Sequence, residues 1–290
     1  TLSSLPIIIS QQSMNLNEET MSQLQEDMSN SETDYPDISY VIPSKTMVEE
    51  YTHENKMTKE YIDYLEQMDP SSVAGITYTY ATGLTLLQKI DGKVEFLNVQ
   101  DLGIQSLPHS LSEEKEDVID MHYDILAGRK ATAKDEIVLV VDAKNQVSLD
   151  ILRALGITSE ENVSFETILN STIKLVYNDD YYVNYGNYYI PSNDLESVYN
   201  NSNNLTLKVV GILRLKSDFP SYVGSAGILY TNDLLNDVLE KNSVSKVVEA
   251  QKKADYSVLS GEMIDTSTED GKETKEMLLA YLGNDSVPYM

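Results

Sequence analysis

Tyr123–Asp142 reads YDILAGRKATAKDEIVLVVD, and the succession of residue types within it sets the fold. Its opening residues, before Ala127, suit a short extended arm. Gly128, inside Ala127-Gly128-Arg129, takes a positive φ without a steric penalty, so a tight turn is expected there. A polar loop follows. Glu136–Asp142 (EIVLVVD) is then an unbroken apolar run between polar residues, which suits a strand covered on both faces. The block holds no reactive constellation. It is architectural, and it points to a mechanical or binding role.

On its N-terminal side, Pro6–Ser10 (PIIIS) reads as a buried strand. Asn17 caps a helix with Glu18 and Glu19 in its first turn and Met21, Leu24 and Met28 on one face. Ser29–Thr58 is a polar excursion containing Pro36 and Pro43. Ile62, Leu65 and Met68 mark a second helix, which Asp69-Pro70 ends. Val73–Tyr80 partly alternates and is expected to be extended. Leu84–Ile90 and Lys93–Asn98 flank Asp91-Gly92, a strong hairpin signal.

On its C-terminal side, Ser148 caps a short helix carrying Leu149, Leu152 and Leu155, which Gly156 stops. Thr172–Tyr177 and Leu205–Leu215 are further strands. Between them lies a tyrosine-rich tract, Asp179–Asp194. Ile228–Tyr230 is a short strand, and Thr231 caps a helix with Leu234, Leu235 and Val238. Met277, Leu278 and Leu282 mark a last helix closed by Gly283. The pattern is α+β, interrupted by a strand-rich middle.

Composition narrows the function classes. The 290 residues are 41% apolar, enough for a substantial core. A formal charge of −26 argues against nucleic acid, whose phosphates need clustered Lys and Arg, and against an anionic lipid surface. With no cysteine there is no disulfide, thiolate metal site or thiol nucleophile. Tyrosine is abundant, 20 against 3 Phe, which suits strands whose faces are half wet. No window approaches the ~20 apolar residues of a membrane span. The chain opens at Thr1 almost directly in an apolar run and stops at Val287-Pro288-Tyr289-Met290, so both ends are expected to be cut from a longer chain.

Four features occur together: LPIII near the start, YDILAGR…DEIVLVVD, ILNSTIKLV at Ile168–Val176 and LKVVGIL at Leu207–Leu213. In this order they resemble the extracellular domain of an ABC-transporter permease of the macrolide-exporter type (MacB-like, FtsX-like), in its Gram-positive form. The resemblance covers most of the chain and is firmest over residues 121–240. It implies two subdomains: a discontinuous membrane-proximal α+β unit, 1–120 with 216–290, and an inserted strand-rich unit, 121–215. It implies a permease dimer in the cell membrane, with this domain on the extracellular side. An ABC ATPase subunit would drive it, and an extracellular adaptor protein is a further implied partner. No cofactor, metal or catalytic residue is expected. Both termini would then lie at one end of the domain, the strand-rich middle at the other.

Sharper readings compete with bland ones. His53, His109 and His122 could serve a hydrolase, but Gly224-Ser225-Ala226-Gly227 has the wrong spacing for a nucleophile elbow and reads as a flexible loop. Asp265–Gly271 has calcium-like composition with a misplaced glycine, and a solvated acidic loop explains it better. Arg129 reads as structural, bonding carbonyls or an acid around the turn. Tyr181, Tyr182, Tyr185, Tyr188 and Tyr189 either cover a core edge or form a contact surface for substrate or adaptor. A secreted or surface-anchored acidic binding module, recognising carbohydrate through these tyrosines, is the alternative function.

Overall fold

The computed structural model describes residues 57–69, 72–73, 75–108, 110–111, 118–216 and 226–284, with short pieces at 7, 9, 12–14, 22 and 52–55. Most of the expected helix after Asn17, most of the Ser29–Thr58 excursion, His109 and both termini lie outside those residues. So does the question of whether Thr1 and Met290 share an end.

A two-stranded antiparallel pair, β1 (Gln12–Met14) and β2 (Thr52–Glu54), precedes helix α1 (Lys59–Leu65). Then come β3 (Thr85–Ile90), β4 (Lys93–Phe96), a 3-10 turn at Val99–Leu102, β5 (Gln105–Ser106), α2 (Val118–His122), β6 (Tyr123–Gly128) and β7 (Glu136–Val141). Next are α3 (Leu149–Ala154), α4 (Phe165–Leu169), β8 (Thr172–Val176), α5 (Asn178–Tyr181), β9 (Tyr182–Tyr185), β10 (Tyr188–Pro191) and α6 (Leu195–Tyr199). Last are β11 (Leu205–Leu215), β12 (Gly227–Tyr230), α7 (Asn232–Ser243), α8 (Lys246–Lys253) and α9 (Glu269–Tyr281). The fold is α+β.

Much of this follows from local chemistry. Asp91 (φ 50°) and Gly92 (φ 83°) both take the left-handed conformation that a two-residue hairpin loop of the I′ kind requires. Ser148 caps α3 by accepting from the Ile151 amide at 3.2 Å, and Thr231 caps α7 by accepting from Leu234 at 3.3 Å. The expected strand at Val73–Tyr80 does not form beyond a one-residue bridge at Ile76. There the Tyr78 hydroxyl donates to Glu66 at the end of α1.

Eight strands form one mixed sheet in the order β4-β3-β8-β11-β7-β12-β5, with β6 also on β11. The eleven-residue β11 is the spine. One edge pairs in parallel with β7 from Lys208 to Arg214. The other is shared in succession, by β8 at Leu205–Lys208 and by β6 at Gly211–Leu215, both antiparallel. β6 and β7 therefore flank β11 on opposite sides and run in opposite directions. The reversal expected at Ala127–Arg129 is thus wider than a tight turn, because residues 129–135 carry the chain across a whole strand.

That crossing explains two glycines. Gly128 has φ +71°, and a Cβ there would collide with the Val210 carbonyl oxygen. A Cβ on Gly211 would collide with the Arg129 carbonyl oxygen, so the crossing segment passes backbone against backbone. The Arg129 amide donates to the Val210 carbonyl at 2.9 Å, and the β7 register shifts between Val209 and Gly211. Two motifs 82 residues apart in sequence, AGR and VVG, are one structural joint.

The β7 strand is covered on both faces, as its composition requires. Ile137, Leu139 and Val141 enter the main core with Leu207, Val209 and Ile212. Val138 and Val140 enter a second core with Ile119, Leu213 and Leu229 on the other face. Each fully buried side chain of this size contributes about 1.5–3 kcal/mol, so this one strand anchors both layers. The sheet draws β3, β4 and β5 from residues 1–120, β6, β7, β8 and β11 from 121–215, and β12 from 216–290.

Candidate functional site

Arg129 and Gly128 sit at the joint. The Arg129 guanidinium forms a two-pronged pair with the Glu136 carboxylate, one prong at 2.8 Å, and also donates to the Lys130 carbonyl at 3.0 Å. The Thr132 amide donates to the same carboxylate at 2.9 Å. The Arg129 bond, reinforced by Thr132 and opposed by partial burial, holds the Glu136 carboxyl down to about 2. These contacts tie the crossing loop to the first residue of β7, which is a structural task.

The five tyrosines of the tract do not form one surface. Tyr181 ends α5, and its ring meets Phe96 at 5.4 Å and Tyr182 at 4.7 Å, both edge-on. Burial, followed by the neighbouring Tyr281, raises the pKa of both Tyr181 and Tyr182, so their hydroxyls stay protonated. From Tyr182 the chain enters a separate hairpin, β9–β10, turned at Gly186 (φ 76°) and Asn187. Tyr185 lies opposite Tyr188, and Val183 lies opposite Ile190.

Side chains alternate along a strand, so this register sorts the hairpin into two faces. The inward face carries Tyr182 and Tyr189. Tyr189 is only 9% exposed and packs with Val247, Val248, Val258 and Leu282. Its amide donates to the Val258 carbonyl at 2.8 Å. The outward face carries Val183, Tyr185, Tyr188 and Ile190, exposed by 48, 74, 45 and 45%. Singly exposed apolar residues are ordinary, but four on one small face are not. The Tyr188 ring stands edge-on to Tyr256 at 6.2 Å, and Tyr256 bridges to Met263, which is also highly exposed.

The hairpin is anchored at its root. Buried Asn178 in α5 donates to the Leu282 carbonyl at 2.6 Å and to Ser245 at 3.2 Å, and its amide donates to Asn242 at 3.0 Å. The Lys246 amide donates to Asp179 at 2.8 Å. Sequence reading left all five tyrosines open between core cover and a contact surface, and passed over Val183 and Ile190; the structure exposes Tyr185 and Tyr188 and packs Tyr181, Tyr182 and Tyr189 inward. The period-2 pattern around Gly186 carried that signal.

Elsewhere, a cavity of about 220 Å³ opens beside the crossing loop, lined among others by Leu107, Ile119, Lys130, Thr132 and Asp233. Among the described residues this lining offers hydrogen-bonding groups on Lys130, Thr132, Asn232 and Asp233. His122 ends α2, where burial and then Lys216 lower its pKa, and its carbonyl accepts from the Lys216 amide at 2.9 Å. Gly224 and Ser225 lie outside the described residues. Among the described residues no group of three His, Asp or Glu side chains is placed to hold a metal ion. The Asp265 carboxylate is occupied by the Ser267 amide (3.1 Å) and hydroxyl (2.6 Å), and Thr268 caps α9. The acidic loop is a helix start. Among the described residues, no helix is long and apolar enough to cross a membrane.

No family model, no curated protein and no solved structure matches this chain.

Proposed function

We propose that the chain is a non-catalytic extracellular domain of an ABC-transporter permease in the cell membrane of a Gram-positive bacterium. In this reading it couples ATP hydrolysis by a cytoplasmic ATPase subunit to export or extraction of a substrate at the outer face. The permease acts as a dimer, and the outward hairpin face, Tyr185 with Tyr188, meets substrate or adaptor. One observation supports it above the others. Three of the four blocks on which the resemblance rests become neighbouring strands, β6 and β7, β8, and β11, with the AGR and VVG motifs in contact. A stiff, glycine-locked joint with an appended contact surface suits a part that moves as a body and needs no side-chain chemistry. The division into a membrane-proximal unit, 1–120 with 216–290, and an inserted unit, 121–215, belongs to the same reading. Since all three spans share one sheet, any motion between the units would bend a continuous layer rather than a linker.

Purification of the full-length native protein from membranes in mild detergent, with mass spectrometry of what accompanies it, tests the reading. The expected result is an ABC ATPase in fixed proportion. Recovery of the protein from the culture medium, or from membranes without an ATPase, would overturn it.

A further inference from the structure

We propose that the free edge of β9 takes an extended peptide segment of a partner as an added antiparallel strand. The proposal rests on the contact role given above to this hairpin, not on the transporter assignment.

The bonding pattern of the hairpin identifies the edge. In an antiparallel pair, opposed residues alternate between those that exchange both backbone bonds and those that exchange none. Tyr185 and Tyr188 close a two-residue loop and are a bonded pair, so Val183–Ile190 is bonded as well and Asn184–Tyr189 is not. Two bonds outside the ladder have the same phase. The Ser192 amide donates to the Tyr181 carbonyl at 2.8 Å, and the Tyr189 amide turns away from β9 to the Val258 carbonyl at 2.8 Å. Asn184, opposite Tyr189, therefore aims its amide and carbonyl away from β10, at the other edge of the hairpin. Among the described residues neither group has a partner. The Tyr182 amide on the same edge is taken by the Asn178 carbonyl of α5, so the open stretch is Asn184 with its flanks. Asn184 is exposed, as are Val183 and Tyr185 on either side of it.

Edge strands are commonly guarded by lysine, proline or a bulge. At the end of the main sheet β4 carries Lys93 and Glu95. β9 (Tyr-Val-Asn-Tyr) has no such guard and pairs with β10 without a register shift. Of the hairpin's two edges, one is bonded to the protein at Val258 and the other faces water.

These features choose the occupant. A backbone donor and acceptor side by side match an extended peptide, whose residue opposite Asn184 presents the complementary pair. A helix has both groups engaged internally. The residue opposite Asn184 points its side chain to the Tyr189 side of the hairpin. The residues before and after it point theirs to the outward face, beside Val183 and Tyr185. The segment that fits therefore has apolar residues two apart with a polar residue between them. β9 is only four residues long, so the backbone supplies one pair of bonds and the exposed side chains of Val183 and Tyr185 supply the rest. Self-pairing of two such edges is opposed by the like charge of two chains at −26.

Fluorescence anisotropy of a labelled Thr-Val-Thr-Val-Thr amide on the 290-residue chain tests this. The same peptide N-methylated at each threonine keeps every side chain but loses the donors of its pairing edge. The parent peptide is expected to bind about tenfold more tightly than the N-methylated form, the worth of one or two backbone bonds. Asn184→Pro removes an amide that the β9–β10 ladder does not use, so it should weaken the parent about tenfold while leaving thermal unfolding unchanged. Exchange of the Asn184 amide should slow when the peptide is bound. No binding, equal binding of the two peptides, binding indifferent to Asn184→Pro, or no added protection at Asn184 would each overturn the proposal. So would a dimer seen in sedimentation that Asn184→Pro dissociates, since the edge would then be filled by a second copy. Should Asn184→Pro loosen the hairpin, the two peptides on the unaltered chain still decide. Peptide binding by a chain that has no ATPase partner would leave this inference standing and sink the transporter reading; an ATPase partner without peptide binding would do the reverse.

Discussion

At Gly211 the chain crosses β11 with backbone against backbone, whereas the β9–β10 hairpin leans on its support through the buried Tyr189 ring and a single backbone bond from Tyr189 to Val258 among the described residues. At the joint Gly211 is buried while Gly128 and Arg129 are exposed, and neither glycine has room for an added atom. The hairpin has one anchored face and one bare face. The difference teaches where this protein keeps its rigidity and where it keeps its freedom to make contacts.

The comparison can be broken first at the joint. Gly211→Ala pushes a methyl group into the Arg129 carbonyl, in a place where backbone rather than a flexible side chain would have to yield. It is expected to destabilise by about 3 kcal/mol or more. The midpoint of urea unfolding reads this, and a shift of less than 1 kcal/mol would mean that the crossing is looser than described.

Next comes the anchor of the hairpin. Tyr189→Ala removes a buried ring packed on Val247, Val248 and Val258 and should cost about 3 kcal/mol. Its distinctive sign is local. Amide exchange should rise most in β9, β10 and Asp255–Met263, with β7 and β11 protected until global unfolding. Uniform loss of protection would show that the hairpin and the sheet unfold as one unit.

A smaller, pH-dependent effect sharpens the role of Arg129. The Glu136 carboxyl is held well below its usual value, so its contribution to stability is fully present above the ordinary carboxylate range. That contribution is lost as pH falls from about 4.5 towards about 2, through the folded-state value. Glu136→Gln should lower stability at neutral pH and remove this part of the acid dependence. Identical acid profiles for the two proteins would disprove the coupling.

The smallest effect is expected on the bare face. Tyr185→Ser should change unfolding by no more than about 0.5 kcal/mol, because the ring is largely in water. A clear destabilisation would mean that Tyr185 packs against the protein rather than waiting for a partner.

Local chemistry was legible wherever a short-range rule acts alone. The 91–92 hairpin, the caps at Ser148 and Thr231 and the doubly buried β7 all follow from a few adjacent residues. Helix α8 (KVVEAQKK) was not legible, since its Val247 and Val248 gain their meaning from Tyr189 and Leu282, far off in sequence. Val73–Tyr80 reads as a strand and is not one, because alternation cannot supply a pairing partner. Of the candidate contact residues, the tyrosine tract was visible as composition, but its division into a core face and a free face depended on the β9–β10 register.

By itself the sequence determined the α+β class, most strand and helix positions and the acidic character, because these depend on residue type and near-neighbour spacing. Only the tertiary structure decided that β11 is shared by three strands, that Gly128 and Gly211 meet, and which tyrosines face water. Those are pairings across many tens of residues. No local preference encodes them; they are fixed by which backbones can approach and which faces can be buried together.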